Sequence, residues 1–219
     1  MKSLLSVFVT ILALSGFGQH EGTSFFFSLD NLKDEETFQS FSEDEKGYYS
    51  ISEASRRNLV VDSDSISVRS GFEIIISKKE AIKKGFTFED DKMYGMAPYN
   101  GIHYKEINDT IVALYFQYDH YFGKNDLMIP GKKGYFLFTE EKEDLYSCEY
   151  ISFDTDSIVI ASIDHVEIME SINKLTKTSS KNIDTFKTFI ASPSLKELEQ
   201  LVKKDCFNDI RSYPKVEHL

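Results

Sequence analysis

Three histidines, His103, His120 and His165, stand in the strand-rich part of this 219-residue chain. Three imidazoles brought together from distant strands would outline a zinc site, the one metal chemistry open to them. The spacing does not carry it. No His-Glu-x-x-His occurs and no short-range ligand pair anchors the set, so a packed or edge histidine is the reading for His120. No metal ligand is therefore assigned.

Aspartates in "VDSDSISV" and "FDTDSIVI" raise calcium chemistry instead. From Asp62 or Asp154, an EF-hand-type loop needs an oxygen ligand at the fifth position, where Ile66 and Ile158 stand. Its glycine position holds Ser67 or Val159. Turn chemistry accounts for both stretches more simply. Asp bonds its own nearby backbone and Ser/Thr-Ile starts a strand, so Asp64-Ser65-Ile66, Asp109-Thr110-Ile111 and Asp156-Ser157-Ile158 are expected hairpin corners. Their spacings, 45 and then 47 residues, match no closed repeat array, because no fourth copy follows.

Covalent and phosphate chemistry find no anchor. There is no Gly-x-Ser-x-Gly elbow, and "GKKG" at Gly131 follows Pro130 as a turn would. Carboxylates are abundant, but nothing singles out a glycosidase-like pair. Cys148 and Cys206 have neither metal-ligand nor Cys-x-x-Cys spacing. In an oxidising compartment they are the candidate disulfide, the other reading being two buried thiols that pack as small hydrophobes. Neither catalytic residues nor cofactors are assigned. The stretch with recognition chemistry is "KMYGMAPYNGIHY", where Tyr94, Met96, Tyr99, Asn100 and Tyr104 gather on a Gly/Pro-shaped loop suited to peptide or saccharide contacts.

The elements that must position these groups begin with "MKSLLSVFVTILALSGFGQH". A positive Lys2, an apolar run from Leu4 to Leu14 and small Gly16 and Gly18 make a secretory signal with cleavage after Gly18. The run is too short for a bilayer span of about 20 residues. Phe17 stands where a lipoprotein signal has its acylated cysteine, so no lipid anchor is expected. The expected location is the periplasm or the cell exterior. Formal net charge is −11, which repels polyanions, so nucleic acid is not an expected partner.

No Trp, 18 Phe and 12 Tyr favour strands. The expected division is a signal at 1–18, an acidic segment at 19–46, one β-rich domain at 47–210 ending in a C-terminal helix, and a tail at 211–219. The acidic segment reads as a short helix or a solvated lead-in after the strand "SFFFSL". "SKKEAIKKG" reads as a helical turn capped by Ser77 and stopped by Gly85. "TIVALYFQYDHYF" alternates, with Leu114, Phe116, Tyr118, His120 and Phe122 on its greasier face. "SIVIASIDHVEIM" continues the sheet, and "NKLTKTSSKN" is a polar linker. "SPSLKELEQLVKK" is an amphipathic helix with Leu195, Leu198, Leu201 and Val202 docked and Lys196, Glu197, Glu199 and Lys203 outward. The fold class is mainly β (α+β): an antiparallel meander-type sheet, sandwich or open barrel with a docked C-terminal helix.

The signal, the repeated x-Asp-Ser/Thr-Ile strand starts and the late "SPSLKELEQLVKKDCF" helix resemble a loose group of uncharacterised exported β-rich bacterial proteins over residues 47–210. The resemblance implies export and a β-rich fold and brings no activity. The functional expectation is an exported soluble protein that binds a protein, peptide or saccharide or is associated with the cell envelope, without enzymatic activity. A periplasmic hydrolase with a dispersed active site is the alternative.

Overall fold

The structure is a computed structural model and describes residues 23–52, 56–95, 101–123, 126–183 and 186–217. Fifteen strands and three helices follow one another along the chain. β1 (Thr23–Phe27), β2 (Gly47–Ser52), β3 (Arg57–Val61) and β4 (Ile66–Ser77) lead into helix α1 (Lys78–Lys83). β5 (Thr87–Glu89), β6 (Lys92–Tyr94), β7 (Ile102–Ile107), β8 (Thr110–Phe122), β9 (Leu127–Pro130), β10 (Tyr135–Lys142), β11 (Leu145–Asp154) and β12 (Ser157–Ser162) come next. Helix α2 (His165–Leu175), β13 (Thr178–Ile183), β14 (Phe186–Ala191), helix α3 (Leu195–Lys203) and β15 (Asp209–Val216) complete the fold.

The three Asp-Ser/Thr-Ile sites are hairpin corners. Val61 pairs Ile66, Ile107 pairs Thr110, and Asp154 pairs Ser157, which closes one tight turn at each. Asn108 and Asp109 both hold positive φ, 50° and 61°, the two-residue turn whose twist matches paired strands. The isoleucine that follows each corner, Ile66, Ile111 or Ile158, is completely buried. The motif thus sets a strand's start and its inward register together, because a one-residue slip would send that isoleucine to solvent.

The strands form one mixed, unclosed sheet in the order β13-β14-β1-β11-β12-β15-β2-β3-β4-β8-β7-β6-β5, with β10 and β9 added beside β11. All pairings are antiparallel except β1 with β14. Residues from nine strands, including Tyr49, Leu59, Val68, Phe122, Met128, Leu137, Ile151 and Ile160, share one apolar core. A flat sheet cannot bring them together, so β9-β10-β11-β12-β15-β2-β3-β4-β8 curls around them. The outer face of the same wall carries a second core, in which Phe27, Phe136, Phe138 and Cys148 meet Ile172 of α2 and Leu198 and Leu201 of α3. The run Phe136-Leu137-Phe138 is therefore buried at every position, alternate side chains serving opposite cores.

α3 docks as expected. Leu198 and Leu201 are completely buried, and the Glu197 carboxylate accepts from both the Ser194 N–H (2.7 Å) and the Ser194 hydroxyl (2.9 Å). Glu199 departs from the outward role expected of it: it pairs with Lys132 Nζ at 3.0 Å and ties α3 to the β9–β10 turn. Cys148 and Cys206 are both free and buried in the helix-side core, which corrects the candidate disulfide. Burial in apolar surroundings pushes both thiols up and keeps them protonated, so they pack as hydrophobes.

Four further readings change. "IDHVEIM" leaves the sheet and forms α2, and "TKTSSKNI" contributes the edge strand β13. The tail expected at 211–219 is strand as far as Val216: β15 lies inside the sheet between β12 and β2. The acidic segment is neither helix nor solvated lead-in. Its Leu32 and Phe41 are buried, Phe38 N–H donates to the Met128 carbonyl (2.8 Å) and Phe41 N–H to the Ser63 carbonyl (2.8 Å). It lies along the seam where the curled sheet fails to close. Tyr135 donates to the Glu45 carboxylate (2.9 Å) and Tyr49 to the Glu45 carbonyl (2.6 Å), and burial pushes both phenols up to about 12.

Candidate functional site

β8 is where the sheet changes character. Ile66 pairs Phe122 but Ser67 pairs His120, so Tyr121 is an extra residue in the ladder. A bulge of this kind re-aims side chains. It turns both Tyr121 and Phe122 toward the curled core and leaves His120 and Tyr118 on the outside. The alternation expected from sequence, with Phe122 on the His120 face, breaks at this point.

Inward, Tyr121 donates to Glu149 Oε2 (2.6 Å) and Arg211 Nη2 donates to Glu149 Oε1 (2.6 Å). The Glu149 and Arg211 side chains keep only 19% and 21% of their surface exposed. Burial first, and Glu149 second, push the Tyr121 hydroxyl far above its usual range, so it stays a donor at any working pH. Ser162 and Asp209, paired at 2.9 Å, continue this polar rim by register with Glu149. Below Tyr121 the same face of β8 presents Asp119, Gln117 and Tyr115, opposite Val68, Ser70 and Phe72 of β4. Gln117 Nε2 donates to Asp119 Oδ1 (3.0 Å), and the Phe72 and Tyr115 rings stack at 5.0 Å and 18°.

Beyond the curl, β4 and β8 run on as a ribbon joined by β7, β6, β5 and α1. This lobe encloses its own core of Met93, Ile102, Ile111 and Ala113. Its opposite face is open: Ile75 is 65% exposed and Leu114 42%, with Val112 directly across from Ile75. Farther along that face Arg69 is held over the Phe116 ring at 3.4 Å and faces Tyr48 at 5.2 Å. Six of the seven large apolar side chains exposed among the described residues lie between 72 and 118, all in or beside this lobe. Surface residues scattered singly need no explanation, but a concentration on one lobe does.

The recognition loop read from sequence is rooted in this lobe. Tyr104 lies on β7 and packs edge-on to Phe88 (5.1 Å) in the lobe core, so it supports the surface rather than forming it. Tyr94 ends β6 with its ring over Gly101, where a Cβ would stand 2.7 Å from the ring. Met96, Tyr99 and Asn100 fall outside the described residues.

His103 and His120 do not converge. His103 pairs with Asp91 (3.3 Å) and His120 with Asp126 (2.7 Å), each exposed on its own stretch, and His165 opens α2. Among the described residues no three His, Cys, Asp or Glu side chains are placed to hold a metal ion. Ser-x-x-Lys spacings stand at Ser171 and Lys174 of α2 and at Ser212 and Lys215 of β15, but Lys174 is committed to Glu170 (2.6 Å) and Lys215 donates to the Asp44 carbonyl (2.6 Å). No protein-family model, curated protein or solved structure matches the chain.

The inner-face residues Phe72, Gln117, Asp119, Glu149 and Arg211 escaped the sequence reading. The alternation of β8 was visible, but neither the bulge nor the partner strands leave a mark in sequence.

Proposed function

We propose that this chain is exported, is cut after Gly18, and acts in the periplasm or outside the cell as a non-enzymatic binding protein. The observation that carries the binding reading is the concentration of exposed apolar side chains on the lobe, with Ile75, Val112 and Leu114 on one open face. Water is excluded from such a face when a protein partner docks, at a typical return of about 25 cal/mol per Å². The two strands are held rigid by twelve paired positions, so ordering costs little on association. A net charge of −11 repels nucleic acid and favours neutral or cationic partners. Among the described residues, no helix is long and apolar enough to cross a membrane. Export draws on the N-terminal sequence pattern, which lies outside the described residues.

Two measurements test this. N-terminal sequencing of protein recovered outside the cytoplasm should begin at Gln19; an intact Met1 on cytoplasmic protein would refute export. For binding, Ile75→Ser with Leu114→Ser changes exposed positions only, so the melting temperature should hold. Retention on isolated cell envelopes should fall at least about tenfold, the loss expected when interface anchors are removed. Unchanged retention would refute the lobe as the docking surface.

A further inference from the structure

The inner face of β8, opposite the docking face, has different chemistry. We propose that the track from Phe72 and Tyr115 through Gln117 and Asp119 to Tyr121 binds a neutral oligosaccharide. Tyr115, Gln117, Asp119 and Tyr121 share one face of one strand, at steps of two residues, and span about 20 Å. That length suits a chain of sugar rings better than a single one.

The chemistry narrows the ligand. At one end the Phe72 and Tyr115 rings lie nearly parallel, 18° apart, and Phe72 keeps 41% of its surface open. An aromatic face carries negative charge density and attracts the C–H face of a pyranose. Next along the track, Gln117 and Asp119 are exposed and already bonded to each other at 3.0 Å. A carboxylate accepts only, and a carboxamide both donates and accepts, which matches adjacent hydroxyl groups that do both. Their mutual bond holds the pair in place before a ligand arrives, which lowers the cost of ordering.

Competing ligands fit worse. A peptide that adds as a strand needs free backbone N–H and C=O groups at an edge. Along the track β4 and β8 pair with each other, at Val68–Asp119, Ser70–Gln117 and Phe72–Tyr115, so the face itself offers side chains, and a strand would add at the outer edge of β8 beside the track. A nucleic acid would meet Asp119 in a chain of charge −11. A purely apolar ligand would strip water from the Gln117–Asp119 pair and return no hydrogen bond to the remaining carboxylate oxygen.

The test uses the mature chain and three defined probes, maltohexaose, cellohexaose and chitohexaose, titrated by calorimetry. At least one should bind with Kd below about 1 mM. Phe72→Ala and Gln117→Ala should each weaken that binding at least about tenfold, Gln117→Ala with the melting temperature unchanged, because its side chain is exposed. Ile75→Ser, on the opposite face, should leave it intact, so the track succeeds or fails independently of the docking face. No binding of any probe at about 10 mM would overturn the proposal. So would equal affinity in the Phe72 and Gln117 variants, or equal binding of hexa-alanine, which would reassign the track to peptide.

Discussion

Leu198→Ala and Leu201→Ala should each lower the unfolding free energy by about 2–5 kcal/mol, measured by urea denaturation. Both side chains are completely buried in the core that α3 shares with Phe27, Phe138 and Cys148. A nine-residue helix is marginal alone in water, so the docked face is what keeps it formed. Truncation removes the transfer free energy and also leaves a cavity, since strands on one side and α2 on the other limit collapse. Lys203→Ala, on the exposed face of the same helix, should stay within about 0.5 kcal/mol. Glu199→Ala should fall between, at about 0.5–1.5 kcal/mol, because it loses the bond to Lys132. Equal small effects from both leucines and Lys203 would make α3 an exposed appendage.

Glu149→Ala should cost about 2–4 kcal/mol, below the full penalty for a buried pair because about a fifth of each side chain still meets water. The carboxylate accepts from Tyr121 and from Arg211, so its removal strands two desolvated donors at once. Replacing both charges, Glu149→Leu with Arg211→Met, should restore part of that loss, since the stranded Arg211 goes with its partner while the Tyr121 hydroxyl still lacks its acceptor. The sign of the double-variant cycle decides the matter. A double variant as unstable as the sum of the two single ones would mean that the two groups do not interact.

Some of this architecture was legible because local chemistry and tertiary burial agree. Asp-Ser-Ile specifies a turn and then a buried isoleucine, and Ile66, Ile111 and Ile158 all sit where that logic puts them. Ser77 and Gly85 bracket α1 for reasons confined to a few residues: Ser77 Oγ accepts from Glu80 N–H (3.2 Å), and Gly85 has φ of +90°. The elements that went unread are those whose identity comes from elsewhere in the chain. "TSSKNI" has no apolar alternation and is a strand only because β14 supplies its partners. "DHVEIM" follows an apolar strand so closely that one period runs into the next. Phe38 and Phe41 look like apolar interruptions in a solvated segment, yet a seam 80 residues or more away receives them: Phe122 lies 5.4 Å from Phe38, and Tyr135 lies 5.4 Å from Phe41. The candidate site was hidden for the same reason. Glu149, Arg211 and Tyr121 meet across three strands, and the bulge that aims Tyr121 inward is a property of the β4–β8 ladder, not of the sequence around Tyr121.

Amide hydrogen exchange on the mature chain, alone and with isolated envelopes from the cells that make it, tests recognition through the lobe most directly. Binding there should slow exchange in residues 72–77 and 105–118, while α3 and β11 exchange as before. Slowing confined to α2, α3 or β13, or no change on saturation with envelopes, would contradict it.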